Sequence, residues 1–250
     1  MRRVAVIIPA RFGAVRFPGK PLADLAGKPL ICHVAERASR ARGVSVVAVA
    51  TDDDRIAAAA RGCGAMAILT GPAATGTDRV AQAARQLSPR ADVVVNLQGD
   101  EPLIAPEAIT ALVESMEESG AAMGTLARPL DDDELLRPQV VKVVCDRQGD
   151  ALYFSRAGIP HRREGGVSPL ARAHVGIYAF TADFLETFAA LPPGALEQEE
   201  SLEQLRALEN GFRIRVVGTN YRGLGVDTPE DLARAASILA TGRDERGVPW

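Results

Sequence analysis

Val4-Ala5-Val6-Ile7-Ile8 is an unbroken, largely β-branched apolar run that stops at Pro9. Such a run fits a strand buried on both faces, which calls for a sheet covered by helices on either side. A loop follows at once, holding Arg11, Arg16 and Lys20 among Gly13, Pro18, Gly19 and Pro21. Permissive backbone, fixed turns and three cations directly after a strand suit a polyphosphate, because amides approach the oxygens while the cations offset their charge. The loop is neither a Walker A sequence nor a G-x-G-x-x-G fingerprint. The alternative is a surface loop with scattered basic residues.

The rest of the chain repeats the strand-then-helix rhythm. Apolar residues at helical spacing predict a helix over 29–41, ended by Gly43, and 44–50 reads as a second strand. Asp52-Asp53-Asp54 precedes an alanine-rich helix that stops at Gly62; N-capping accounts for these acids, with metal ligation as the alternative. A third strand over 65–69 leads into Gly71–Arg79, and a helix is predicted over 80–87 with Thr77 or Asp78 as its cap. The fourth strand, 93–97, runs into Gln98-Gly99-Asp100-Glu101-Pro102, and a helix over 106–119 and a strand over 123–127 continue the pattern. Alternation of this kind implies a mainly parallel sheet with ligands outside the carboxyl ends of its strands. The cationic loop, Thr75-Gly76-Thr77 and Asp100 all fall at that end.

The rhythm then changes. Residues 140–145 and 151–155 flank Asp146–Asp150 as an antiparallel hairpin, and 156–168 is an irregular connection. A strand over 174–180 and a helix over 181–190 follow. Residues 197–210 read as one helix with a leucine face, on which Glu200 and Glu203 would share a side. A strand over 213–217 precedes a last helix opened by Thr228 and Pro229.

Composition narrows the function classes. Of 250 residues, 47% are apolar and 24% charged, and the net charge of −3 argues against a nucleic-acid binder. Cys32, Cys63 and Cys145 have neither the number nor the spacing of a disulfide framework or a cysteine metal site, which points to a reducing compartment and a cytoplasmic protein. No apolar stretch approaches a membrane span.

Taken together, PAR with RFPGKPL, TGTDR, VNLQGDEP, VKVV, ALYFSR with IP, HVGIY, LEQLR and GVDTPEDL resemble the cytidylyltransferases that activate acidic sugars, in particular their 3-deoxy-manno-octulosonate (Kdo) branch. The resemblance runs from Val4 to about Leu232. It implies a Rossmann-like α/β domain over 1–250 with a mainly parallel sheet, helices on both faces and an inserted antiparallel section. Residues 1–130 or so would be mainly nucleotide-binding and about 131–225 mainly sugar-binding and dimerising, in a homodimer. It further implies transfer of CMP from CTP to the anomeric hydroxyl of Kdo, with Mg2+, for lipopolysaccharide synthesis. On the matching positions Arg11 and Lys20 would contact the triphosphate with Arg16 nearby. Backbone around Ala10, Thr75 and Gly76, and the Gln98 side chain, would hold the cytidine. Asp100 and Asp227 would bind the metal; Arg156, His174, Glu200, Glu203 and also Gln98 would face the sugar. Phe12 replaces a common tyrosine, Gly13-Ala14-Val15 lacks a small hydroxyl residue, and Gln198 replaces a common histidine. An 8-amino form of Kdo, another acidic sugar such as a sialic acid, and a noncatalytic nucleotide-binding role remain open alternatives.

Overall fold

The computed structural model describes residues 2–13 and 17–243. In chain order the elements are β1 (Val4–Pro9), β2 (Asp24–Leu25), β3 (Lys28–Pro29), α1 (Leu30–Ser39), β4 (Val44–Thr51), α2 (Asp54–Gly62), β5 (Met66–Leu69), α3 (Gly76–Ala84), β6 (Val93–Asn96) and α4 (Pro106–Ser119). They continue with β7 (Met123–Pro129), β8 (Lys142–Cys145), β9 (Ala151–Ser155), β10 (Arg172–Thr181), α5 (Ala182–Ala190), α6 (Ala195–Glu200), α7 (Leu205–Glu209), β11 (Ile214–Gly218) and α8 (Pro229–Thr241). The chain divides into two compact units, residues 1–110 with 223–250, and residues 111–222.

In the first unit the strands run in the order β6-β1-β4-β5, and each pairing is parallel. Val4 to Ile8 are at most 1% exposed. Alternate side chains leave a strand on opposite faces, so burial of every one means both faces are covered, at about 1.5–3 kcal/mol for each large apolar side chain. Leu30, Ile31, Val34, Ala35 and Ala38 form the buried stripe of α1, as their spacing predicts. Asp53 caps α2 by accepting from the amides of Arg55 and Ile56. At α3 the expectation is corrected: the helix starts at Gly76, four residues before Val80, because Thr75 and Asp78 form a reciprocal capping box. Thr228 and Asp231 cap α8 in the same way, with Pro229 in the first turn.

In the second unit β7 pairs antiparallel with β10 and parallel with β11, while β8 pairs antiparallel with β10 and β9. This is the antiparallel section expected from the change of rhythm. Two features of it escape the sequence pattern. The β10–β7 register slips between Val175 and Tyr178. In addition, the single helix expected over 197–210 is two short ones, α6 and α7, parted at Ser201, whose φ of 51° is left-handed.

The break has an identifiable cause. Both Glu197 oxygens accept from Arg206, at 2.8 and 2.5 Å, and both Glu209 oxygens accept the amides of Leu196 and Glu197, at 3.0 and 3.2 Å. In one straight helix residues 197 and 206 would stand about 13 Å apart along the axis, out of reach. The folded-back arrangement also buries Leu202 and Leu205, to 6% and 0% exposure. Gly194 is part of the device, since a Cβ there would lie 1.9 Å from Glu209 Oε2.

Candidate active site

Loops leaving β1, β5 and β6, with residues leading into α8, line a cavity of about 530 Å³ in the first unit. Its wall includes Ala10, Arg11, Lys20, Thr75, Gly76, Gln98, Asp100 and Asp227, which are the nucleotide and metal candidates apart from Arg16. Arg16, Ala14 and Val15 lie outside the described residues. The approach of the β1 and β6 ends depends on Gly99, where a Cβ would sit 2.9 Å from the Pro9 carbonyl oxygen. Asp227 is held near Asp100 by backbone: the Val226 amide donates to the Asp100 carbonyl at 2.9 Å.

Between the two acids lies Lys20. Its Nζ is 2.9 Å from Asp100 Oδ2 and 3.1 Å from Asp227 Oδ1, and the side chain is 14% exposed. Burial works against the ammonium, but the charges and hydrogen bonds of Asp100 and Asp227 outweigh it, so its pKa is raised above the usual lysine value. Two carboxylates that converge on one cation position also meet what Mg2+ requires: one or two acidic side chains, with phosphate oxygens and water completing the shell. Among the described residues no three His, Cys, Asp or Glu side chains gather as a metal cage. The donor set therefore fits a hard ion arriving with a phosphate ligand.

The backbone offers less than expected at two positions. The Ala10 amide is taken by Ala50 O at 2.9 Å, and the Thr75 amide by Asp78 Oδ2 at 3.1 Å. Gly76 opens α3, so its N–H lacks an intrahelical acceptor. Phe12 finds a role without a hydroxyl: its ring lies 3.1 Å from a Cβ built on Gly19, and the Arg55 guanidinium sits 3.6 Å from the ring centroid. Arg79 lines the same cavity, although sequence reasoning gave it no role. Only 5% exposed, it donates to Thr70 Oγ1 at 2.6 Å and to Asp52 Oδ2 at 2.7 Å. Its signal was its place in TGTDR, one turn into a helix that opens on the cavity.

The sugar candidates other than Gln98 lie in the second unit and fall into two groups. Arg156 directly follows β9 and meets Glu200 at the end of α6. Ser155 Oγ donates to Glu200 Oε1 at 2.5 Å and the Arg156 amide to Oε2 at 2.9 Å. The Arg156 guanidinium reaches the carbonyls of Glu200, Pro138 and Ser201, at 2.7, 3.0 and 3.2 Å. Glu200 thus holds the end of β9, and among the described residues three of the five guanidinium N–H groups are engaged, leaving two.

His174 and Tyr178 form the second group. Four residues apart, they would be about 13 Å apart on a regular strand. The register slip in β10 brings their ring centroids to 5.5 Å. Thr125 Oγ1 donates to Ile177 O at 2.8 Å and lies 2.9 Å from His174 Nε2. With its one proton given away, the threonine oxygen accepts, which assigns the imidazole proton to Nε2 and leaves Nδ1 as acceptor. His174 is half-buried among aromatic neighbours, and desolvation pushes its pKa down to about 3. Desolvation raises Tyr178 above the usual phenol range, with Glu203 adding to it, and its hydroxyl donates to Gln204 Oε1 at 2.9 Å. Gln204 is 3% exposed and its Nε2 has no acceptor among the described residues. Tyr178 and Gln204 were missed because HVGIY and LEQLR give no clue to which members point inward. The shared helical face assumed for Glu200 and Glu203 is corrected by the break at Ser201: Glu203 lies beyond α6, 3.8 Å from Arg206. Gln198 is exposed on α6.

A sequence model of the cytidylyltransferase family matches residues 5–214. A protein of Anaeromyxobacter sp. (strain Fw109-5) named 3-deoxy-manno-octulosonate cytidylyltransferase is 76% identical, over 98% of this chain and all of its own. One from Shewanella sediminis, named for the 8-amino-3,8-dideoxy sugar, is 49% identical over 95% of this chain and 98% of its own. Among solved structures, a CMP:2-keto-3-deoxy-manno-octonic acid synthetase complexed with CTP superposes with a TM-score of 0.89 at 41% identity, covering 95% of this chain and 98% of that one.

Proposed function

Because this chain belongs to the cytidylyltransferase family, we propose that it transfers CMP from CTP to the anomeric hydroxyl of Kdo, releasing pyrophosphate and supplying activated Kdo for lipopolysaccharide synthesis. The observation that carries the reading is the convergence of Lys20, Asp100 and Asp227 on one wall of the strand-end cavity. Attack at the α-phosphate asks the protein mainly for alignment and for neutralisation of charge on the departing pyrophosphate. Lys20 and Arg11 supply positive charge toward the triphosphate, with Arg16 in the same loop. Ala10, Thr75, Gly76 and Gln98 orient the nucleoside. Asp100 and Asp227 would hold Mg2+, whose contribution when bound is to neutralise phosphate charge and make the sugar hydroxyl more acidic.

On the acidic-sugar side, Arg156 offers its two remaining N–H groups to the carboxylate, and a lysine could not match that fork. Nδ1 of His174 accepts from a sugar hydroxyl, while Gln204 Nε2 offers a buried donor with no acceptor among the described residues. Glu203 lies beside Tyr178, and Glu200 fixes the backbone from which Arg156 springs. Relatives named for Kdo reach 76% identity, against 49% for the relative named for its 8-amino analogue, which favours the hydroxylated sugar.

A homodimer is part of the same reading. Leu136, Leu152 and Leu170, exposed at 84%, 62% and 72%, all lie in the second unit, where a partner copy would cover them. A cytoplasmic setting accords with the three free cysteines. Among the described residues no helix is long and apolar enough to cross a membrane.

The test is pyrophosphate release from CTP, Mg2+ and Kdo, with Kdo and its 8-amino form in competition. Preferential turnover of Kdo is expected. Turnover of another acidic sugar alone would overturn the substrate and keep the reaction. CTP binding without turnover of any acidic sugar would leave a noncatalytic homologue.

A further inference from the structure

Lys142, in the VKVV segment, has no part in the reading above, yet it is among the largest fully buried side chains of the protein at 0% exposure. Its Nζ donates to the carbonyl oxygens of Val140 and Arg156, both at 2.6 Å, and of Arg137 at 3.0 Å. An ammonium has three N–H groups, and three acceptors account for all of them. No carboxylate oxygen lies within salt-bridge distance of it among the described residues; the Glu200 charge favours the ammonium from further away, but burial outweighs it and lowers the pKa. Burying a cation in this way costs several kcal/mol in desolvation, and a methionine of similar shape would avoid that cost. Something other than core stability favours lysine here.

The three carbonyls indicate what. One belongs to Arg156 itself. The other two, Arg137 and Val140, bracket Pro138, whose carbonyl receives the Arg156 guanidinium at 3.0 Å. The ammonium therefore grips both the backbone from which the arginine starts and the loop on which its head rests. Glu200 completes the frame, its carboxylate accepting from the Arg156 amide and its carbonyl from Nε. We infer that Lys142 is a positioning residue for the acid-sugar subsite: its buried charge gathers three carbonyls that fix Arg156 in the orientation needed to meet a sugar carboxylate. The inference rests on the cytidylyltransferase reading, in which Arg156 meets that carboxylate.

Lys142→Met removes the charge and all three hydrogen bonds while keeping the volume. Steady-state kinetics should show KM for Kdo rising roughly ten- to a hundredfold, as expected when a binding group is displaced by about 1 Å, with KM for CTP within about twofold. Lys142→Gln, which retains two donors, should recover part of the loss. A double-mutant cycle separates positioning from general damage: in an Arg156→Gln background, Lys142→Met should add little to KM for Kdo, because the group it positions has gone. The inference is overturned if the Kdo and CTP constants of both Lys142 variants move together, or if the two losses multiply in the double variant. Should Lys142→Met fail to fold, Lys142→Gln carries the same cycle, with CTP binding by calorimetry as the control for the nucleotide side. Failure of Arg156→Gln itself to change KM for Kdo would instead overturn the reading on which this rests.

Discussion

The cavity of the first unit is lined by loops leaving parallel strands, whereas the polar clusters of the second hang on side chains drawn from β7, β9, β10, α6 and the residue that precedes α7. In the first, position follows from topology. A strand end, a glycine such as Gly99 and one backbone hydrogen bond from Val226 to Asp100 suffice to gather the charges. In the second, position is made by buried polar contacts, each needing its partner: Lys142 its three carbonyls, His174 its threonine, Tyr178 its glutamine. The first should therefore lose chemistry when a charge is removed. The second should lose sugar affinity when a support is removed.

Asp100→Ala tests the first half of that contrast with the largest expected effect. It leaves Lys20 with Asp227 alone and removes one of the two carboxylates proposed for Mg2+. Turnover at saturating CTP and Kdo should fall on the order of a hundred- to a thousandfold, the usual scale for losing a group that stabilises transition-state charge. KM for Kdo should stay nearly constant. Unchanged turnover with altered KM for Kdo would place Asp100 on the sugar side and erase the distinction between the two sites.

His174 gives the second half a pH signature. Its pKa in the folded protein, about 3, lies below the ordinary 6.5. The unfolded chain therefore takes up the proton first on acidification. The associated stability is fully present above about pH 6.5 and is lost as pH falls toward 3. Between pH 7 and pH 4.5 the loss from this one residue should be about 1–2 kcal/mol, allowing for its partial access to solvent. Urea unfolding at the two pH values should show a smaller loss in His174→Phe than in the parent. Equal losses would mean the ring is not desolvated. Because Nδ1 keeps its lone pair throughout, KM for Kdo should show no break near pH 6.5.

The same contrast governs how much could be read from sequence. Val4–Ile8 announced a strand covered on both faces because an unbroken apolar run is a local property, and the cationic loop, Thr75-Gly76-Thr77 and Asp100 then followed from where parallel strands end. Arg156, His174 and the two glutamates were reached through the resemblance, and their surroundings were not legible. Glu197 and Arg206 pair across a break that helical spacing cannot reveal, since the favourable term is tertiary. The slip in β10 is equally silent, because HVGIY reads as an ordinary alternating strand. Lys142 looked like any lysine at a strand edge; only the count of its acceptors sets it apart.

The smallest effect concerns that break. Ser201 adopts φ 51° between α6 and α7, a conformation that costs a residue with a Cβ and costs glycine little. Its carbonyl accepts from Arg156, and Ser201→Gly keeps that carbonyl. Because Arg206 and Glu209 fix the break, Ser201→Gly should stabilise the protein by up to about 1 kcal/mol, visible as a small rise in Tm, with both KM values unchanged. A glycine inside a continuous helix has the opposite sign, destabilising by about 1 kcal/mol. A rise in Tm by differential scanning calorimetry is the expected sign for a segment shaped by tertiary contacts, and a fall would overturn the role given to Arg206 and Glu209.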